Sequence, residues 1–146
     1  MTRRTPNFAR VFANGSFEGS EKEAVIELAF MMANANGDAS IDELEAFRAL
    51  AKHLDPAADI TALLDKCTAL LEKAASFEER VRAAAERLTR PEARELAYKA
   101  VYTVAVFDLE TNEEERELEE LIVEVLQLDH ARVHQLELEA TQALST

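Results

Sequence analysis

Apolar residues in this chain recur mainly three and four positions apart, the spacing that aligns one face of an α-helix. The clearest case spans 91–107. Ala93, Leu96, Ala97, Ala100, Val101, Val104 and Ala105 fall on one stripe there, and Pro91 suits the first helical position because its missing N–H costs nothing. A second segment, 21–35, is apolar around most of its circumference (Val25, Ile26, Leu28, Ala29, Phe30, Met32, Ala33), which predicts a helix at the centre of the fold. Ser20 is its expected cap and Asn36-Gly37 its expected end.

Five more helices follow from the same pattern. Ser40 with Glu43 forms a capping box opening 41–54, with Leu44, Phe47, Ala51 and Leu54 inward and Asp55-Pro56 closing it. Asp59 caps a helix facing inward through Ile60, Leu63, Leu64, Cys67 and Leu71. Ser76 with Glu79 opens one facing inward through Phe77, Val81, Ala84 and Leu88. Thr111 with Glu114 opens 112–127, with Leu118, Leu121, Ile122 and Val125 inward, and Asp129 opens a last helix using Val133, Leu136 and Ala140. Residues 1–19 are less regular and are expected to be an N-terminal arm, which Phe8, Val11, Phe12 and Phe17 could dock onto a helical domain spanning 20–146.

The order of elements repeats. A buried helix (21–35), an acidic turn and an amphipathic helix (41–54) are echoed by a buried helix (91–107), an acidic turn and an amphipathic helix (112–127). Aligning Asn36 with Asp108 also aligns Glu43 with Glu115. The expected fold is all-α, with about seven helices in two pseudo-symmetric helix–turn–helix halves around two central buried helices.

Composition supports that reading. The 146 residues include 3 glycines and 3 prolines, too few for a fold of many short strands and tight turns. The chain carries 29 acidic against 16 basic residues, a net charge of −13. Such a surface repels nucleic acid and anionic lipid and suits a cation or a basic protein partner. Arg3, Arg4 and Arg10 precede no apolar signal core, and no apolar run approaches the ~20 residues of a membrane helix, so the chain reads as cytoplasmic and not transmembrane. The single cysteine, Cys67, excludes an internal disulfide and sits on a core stripe.

The two acidic turns carry the candidate chemistry. Asn36, Asp38 and Glu43 in the first, with Asp108, Glu110 and Glu115 in the second, supply the crowded oxygen donors that a hard cation such as Ca²⁺ or Mg²⁺ requires. Carboxylates in the first turn of a helix are also stabilised by its dipole without any metal, which accounts for Glu43, Glu113, Glu114 and Glu115. Asp108 and Glu110 instead crowd the negative end of the preceding helix, where a cation or a basic side chain must compensate them. Counted from Asn34, the first turn also matches much of an EF-hand loop, with Asn36, Asp38, Ile41, Asp42 and Glu45 in place but Ala39 where glycine belongs. The second turn has Glu115 where such a loop has Ile or Val.

The stretches Ala33-Asn-Ala-Asn36-Gly37-Asp-Ala-Ser-Ile-Asp-Glu43 and Ala105-Val-Phe-Asp108-Leu-Glu-Thr-Asn-Glu-Glu-Glu115 lie on either side of a helical hairpin. Together with Glu95-Leu-Ala-Tyr-Lys-Ala-Val-Tyr-Thr-Val-Ala, they resemble the TerB-like tellurite-resistance family over about 21–144. The resemblance implies an all-helical, pseudo-two-fold domain tied to tellurite resistance, stress and membrane-linked complexes. It also implies a divalent-metal site at Asn36, Glu43, Asp108 and Glu115. Two positions depart from the family pattern: Asn36 stands for an aspartate, and Leu109 for the second glycine.

Other chemistry is thinner. His130 and His134, with Glu137 one turn on, have the spacing of a zinc-binding pair but read more simply as surface histidines. No Gly-rich phosphate loop, Gly-x-Ser-x-Gly elbow or Cys-x-x-Cys pair occurs. The expectation is a non-enzymatic binding or scaffold domain of a tellurite-resistance or stress-response system, taking Ca²⁺ or Mg²⁺ at its turns. The alternatives are an acidic protein-interaction module without metal and a weak EF-hand-like calcium binder. Expected partners are a basic protein, a membrane-linked complex met from its periphery, or a second copy in a homodimer, and no nucleic acid.

Overall fold

The computed structural model describes residues 6–13, 15–35, 39–107 and 113–144, and among these every regular element is a helix. In chain order they are α1 (Phe8–Phe12), α2 (Glu21–Ala33), α3 (Ile41–Leu54), α4 (Ile60–Lys73), α5 (Phe77–Glu86), α6 (Pro91–Val106), α7 (Glu113–Val125) and α8 (His130–Leu144). The seven helices expected from periodicity are all present. The eighth, α1, lies within 1–19, where Phe8, Val11, Phe12 and Phe17 are buried in the same core.

Local chemistry sets most of the helix starts. Ser40 Oγ accepts from the Glu43 N–H at 3.0 Å while the Ser40 N–H donates to Glu43 Oε1 at 2.9 Å, a complete capping box. Asp59 accepts from the Ala62 N–H, and Ser76 from the Glu79 N–H, each at 3.1 Å. Pro91 opens α6. Ser20 departs from expectation, since it occupies the cap position of α2 without a side-chain capping bond. The next residue takes over, with Glu21 Oε1 accepting from the Glu18 N–H at 2.7 Å.

The core is built on α2 and α6, which pack against each other more extensively than any other pair. Every residue of α2 from Ala24 to Ala33 is buried, and the buried residues of α6 include Ala93, Ala97, Ala100, Val104 and Ala105, small side chains that allow close approach of a neighbouring helix. The direction of the two rods follows from their starts. Arg90, just before α6, donates to Glu21, the first residue of α2, from Nη2 to Oε1 at 2.7 Å and from Nε to Oε2 at 2.9 Å. The helices therefore begin together and run the same way, ending together about 20 Å on.

The helices α3 and α7 return antiparallel to them. Leu54 and Asp55 at the end of α3 share a cleft with Gly19 and Lys22 at the start of α2, and Leu126 and Asp129 at the end of α7 share one with Pro91 and Arg94. Both α3 and α7 thus begin at the end where α2 and α6 finish. This is the pseudo-two-fold arrangement expected from the repeat.

The inward faces of α3 and α4 differ from the pattern, as in part does that of α7, where Val123 is buried and Leu121 and Val125 are half-buried. In α3 the buried residues are Glu43, Ala46, Phe47, Leu50 and Ala51, whereas Leu44 is exposed and Leu54 half-buried, so the face is rotated toward Leu50. In α4 only Cys67 is buried. Its leucines are half-covered because the main packing partners of α4 are α2 and α5, and it meets both lightly. Burial pushes the Cys67 thiol up to about 11, so it packs as a small apolar group.

Candidate functional site

The end of the bundle where α2 and α6 finish and α3 and α7 start is the place to which the repeat points. Asn36, Asp38, Asp108 and Glu110 lie outside the described residues. Glu43 and Glu115 lie within them and occupy equivalent third positions of α3 and α7. Both are buried, at 2% and 3% exposure. Helix-dipole stabilisation explains carboxylates in a first turn but not their removal from water, which is costly for a charged group. The neighbouring Glu113 and Glu114 behave as ordinary first-turn carboxylates and are exposed. The repeat therefore selects one glutamate in each half for shielding.

The capping box gives Glu43 one task, receiving the Ser40 N–H on Oε1. Ile41 beside it is 66% exposed, leaving an apolar side chain at the rim of this end. Asn34, the first position of the EF-hand-like count, donates from Nδ2 to the Phe30 carbonyl at 2.9 Å, so its amide group serves to close α2. The donors at this end are oxygens, the type a hard divalent cation takes. Among the described residues no three potential metal ligands converge, so Glu43 and Glu115 would need further oxygens from the turns that follow α2 and α6.

Among the described residues His130 and His134 belong to no cluster of three potential metal ligands, and both side chains are exposed, with His130 lining a groove between α7 and α8. His53 meets the Phe12 ring at 5.6 Å at the far end of α3.

The same groove holds groups that periodicity did not single out. Glu119 of α7 and Glu137 of α8 both line it, and the Tyr98 hydroxyl donates to Glu137 Oε2 at 2.6 Å. Burial, and then the charge of Glu137, push Glu119 up to about 7. A signal for them exists in the sequence, since Glu119 directly follows the core residue Leu118 and Glu137 follows Leu136. Each flanks a core stripe.

The shielded carboxylates of α2 also escaped the sequence reading. Glu27, 4% exposed, receives Arg80 Nε at 2.6 Å and Arg80 Nη2 at 2.8 Å, and Arg87 Nη2 at 2.6 Å. With Glu21–Arg90 it ties α2 to α5 and to the start of α6. Among the described residues no helix is long and apolar enough to cross a membrane.

A family model described as "Tellurite resistance protein TerB" matches residues 22–138, most of the chain, including both central helices and both glutamates. No curated protein and no solved structure matches.

Proposed function

Because the chain belongs to the TerB family of tellurite-resistance proteins, we propose that it is a non-enzymatic binding domain of a tellurite-resistance or stress-response system that takes a divalent cation where α2 and α6 end. One observation carries this reading: the repeat-related Glu43 and Glu115 are both withdrawn from water at the same end of the molecule. Two repeat-related carboxylates at one end offer the oxygen donors that a divalent cation takes. A hard cation fits the donor chemistry. In this reading Glu43 and Glu115 are the protein-side anchors, and Asn36, Asp38, Asp108 and Glu110 complete the oxygen shell.

Thermal melting with and without Ca²⁺ or Mg²⁺, starting from EDTA-treated protein, tests it. At ten times the dissociation constant the melting temperature should rise by about 3–6 °C. Glu115→Gln, which keeps the shape and removes the charge, should abolish most of that rise, as should Asp108→Ala. Identical melts in EDTA and in millimolar concentrations of either ion would eliminate the metal.

A further inference from the structure

Four carboxylates along the helices are matched by a cation of the chain itself. Glu21 holds Arg90 at 2.7 Å, Glu27 holds Arg80 and Arg87 at 2.6 Å, Glu95 holds Arg132 at 2.9 Å, and Glu139 holds Lys99 at 3.0 Å. Glu119 and Glu137 differ. Both are only partly exposed, yet neither makes a salt bridge with a described residue, and among the described residues the hydrogen bond to their carboxylates comes from the neutral Tyr98 hydroxyl. Between them runs a groove of about 560 Å³ with an apolar floor from Val123, Val133 and Leu128 and further carboxylates, Glu120 and Glu124, on its rim. Arg116 and His130 are the cationic or potentially cationic groups in its lining.

An apolar floor under a carboxylate rim is complementary to a cationic segment with apolar neighbours, and to little else of comparable size. We propose that the α7–α8 groove is a docking site for a partner protein's segment that places a Lys or Arg between Glu119 and Glu137 and sets its apolar side chains against Val123, Leu128 and Val133. The groove begins at Arg116, beside Glu115, and runs along α7 and α8 to Leu128 without including Glu43 or Glu115 in its lining, and the proposal does not depend on any metal.

The electrostatics add a signature. Glu119 titrates near neutrality because burial and Glu137 disfavour its charge, with Arg116 opposing and Glu120 adding to the effect, while Tyr98 and Tyr102 of α6 are themselves raised by burial on the same side. A bound cation favours the ionised form, so docking expels a proton below pH 7 and not above it. Affinity should therefore rise by up to about tenfold from pH 6 to pH 8 and then level off.

The test uses the full chain in EDTA and a fluorescein-labelled 18-residue Leu/Lys amphipathic peptide, with a Leu/Glu peptide of the same pattern as control. Binding is followed by anisotropy at pH 6 and pH 8, and by amide shifts of ¹⁵N-labelled protein. The expected result is saturable binding of the Leu/Lys peptide alone, with shifts concentrated on α7 and α8. Glu119→Gln should weaken binding about five- to tenfold at pH 8 and flatten its pH dependence, whereas Glu78→Gln, an equal loss of charge on α5, should change neither. Shifts spread evenly over the acidic surface would overturn the proposal, as would equal effects of the two variants. Glu137→Gln keeps an oxygen to receive the Tyr98 hydroxyl and should weaken binding similarly. Should that variant fail to fold, Glu119→Gln decides alone.

Discussion

Arg90 grips Glu21 with two parallel hydrogen bonds, at 2.7 and 2.9 Å, and so joins the first residue of one central helix to the residue before the other. The pair spans two repeats distant in sequence and sets both rods off in the same direction. The rest of the architecture follows from that shared origin, because two parallel rods followed by two returning helices bring Glu43 and Glu115, at the starts of α3 and α7, to one end.

The grip makes a prediction about acid. Arg90 holds the Glu21 carboxyl below its ordinary value of 4.5. A carboxylate whose value is depressed in the folded state contributes stability above its unfolded value, and that contribution is lost as pH falls through the folded one. Urea midpoints of the wild type and Glu21→Gln should therefore differ at pH 7 and converge as pH drops below 4.5. A gap that stays constant down to pH 3 would show that the pair does not act through ionisation.

Glu27 answers two guanidinium groups from a position 4% exposed. Replacing it by alanine leaves Arg80 and Arg87 without their shared acceptor against the α2–α5 contact. Removal of one partner from a buried pair typically costs about 3–5 kcal/mol. Both arginines keep some access to solvent, so the lower end of that range is expected from urea denaturation of Glu27→Ala.

Two leucines on adjacent helices should respond very differently to truncation. Leu50 of α3 is fully buried, and Leu50→Ala should cost about 2–5 kcal/mol. Leu64 of α4 is only half-covered, and its truncation should cost well under half as much. Amide exchange should agree, with α4 protons exchanging faster than those of α2.

Much of the fold could be read from the chain because helix periodicity and capping are local. The stripe from Ala93 to Ala105, the Ser40–Glu43 box and Pro91 at the head of α6 each depend on residues a few positions apart, and each appears where its spacing placed it. The repeat was legible for the same reason, and with it the positions of Glu43 and Glu115.

What folding alone decided is which glutamates lose their water. Glu113, Glu114 and Glu115 are neighbours with one composition and one helix dipole, yet only Glu115 is buried. Glu27 finds its arginines 53 and 60 residues away, and the leucines of α4 stay half-covered because no second layer reaches them. A helix carries its own hydrogen bonds and can be inferred from a short window. Burial and charge pairing depend on the element standing opposite, which exists only once the two halves have closed on each other.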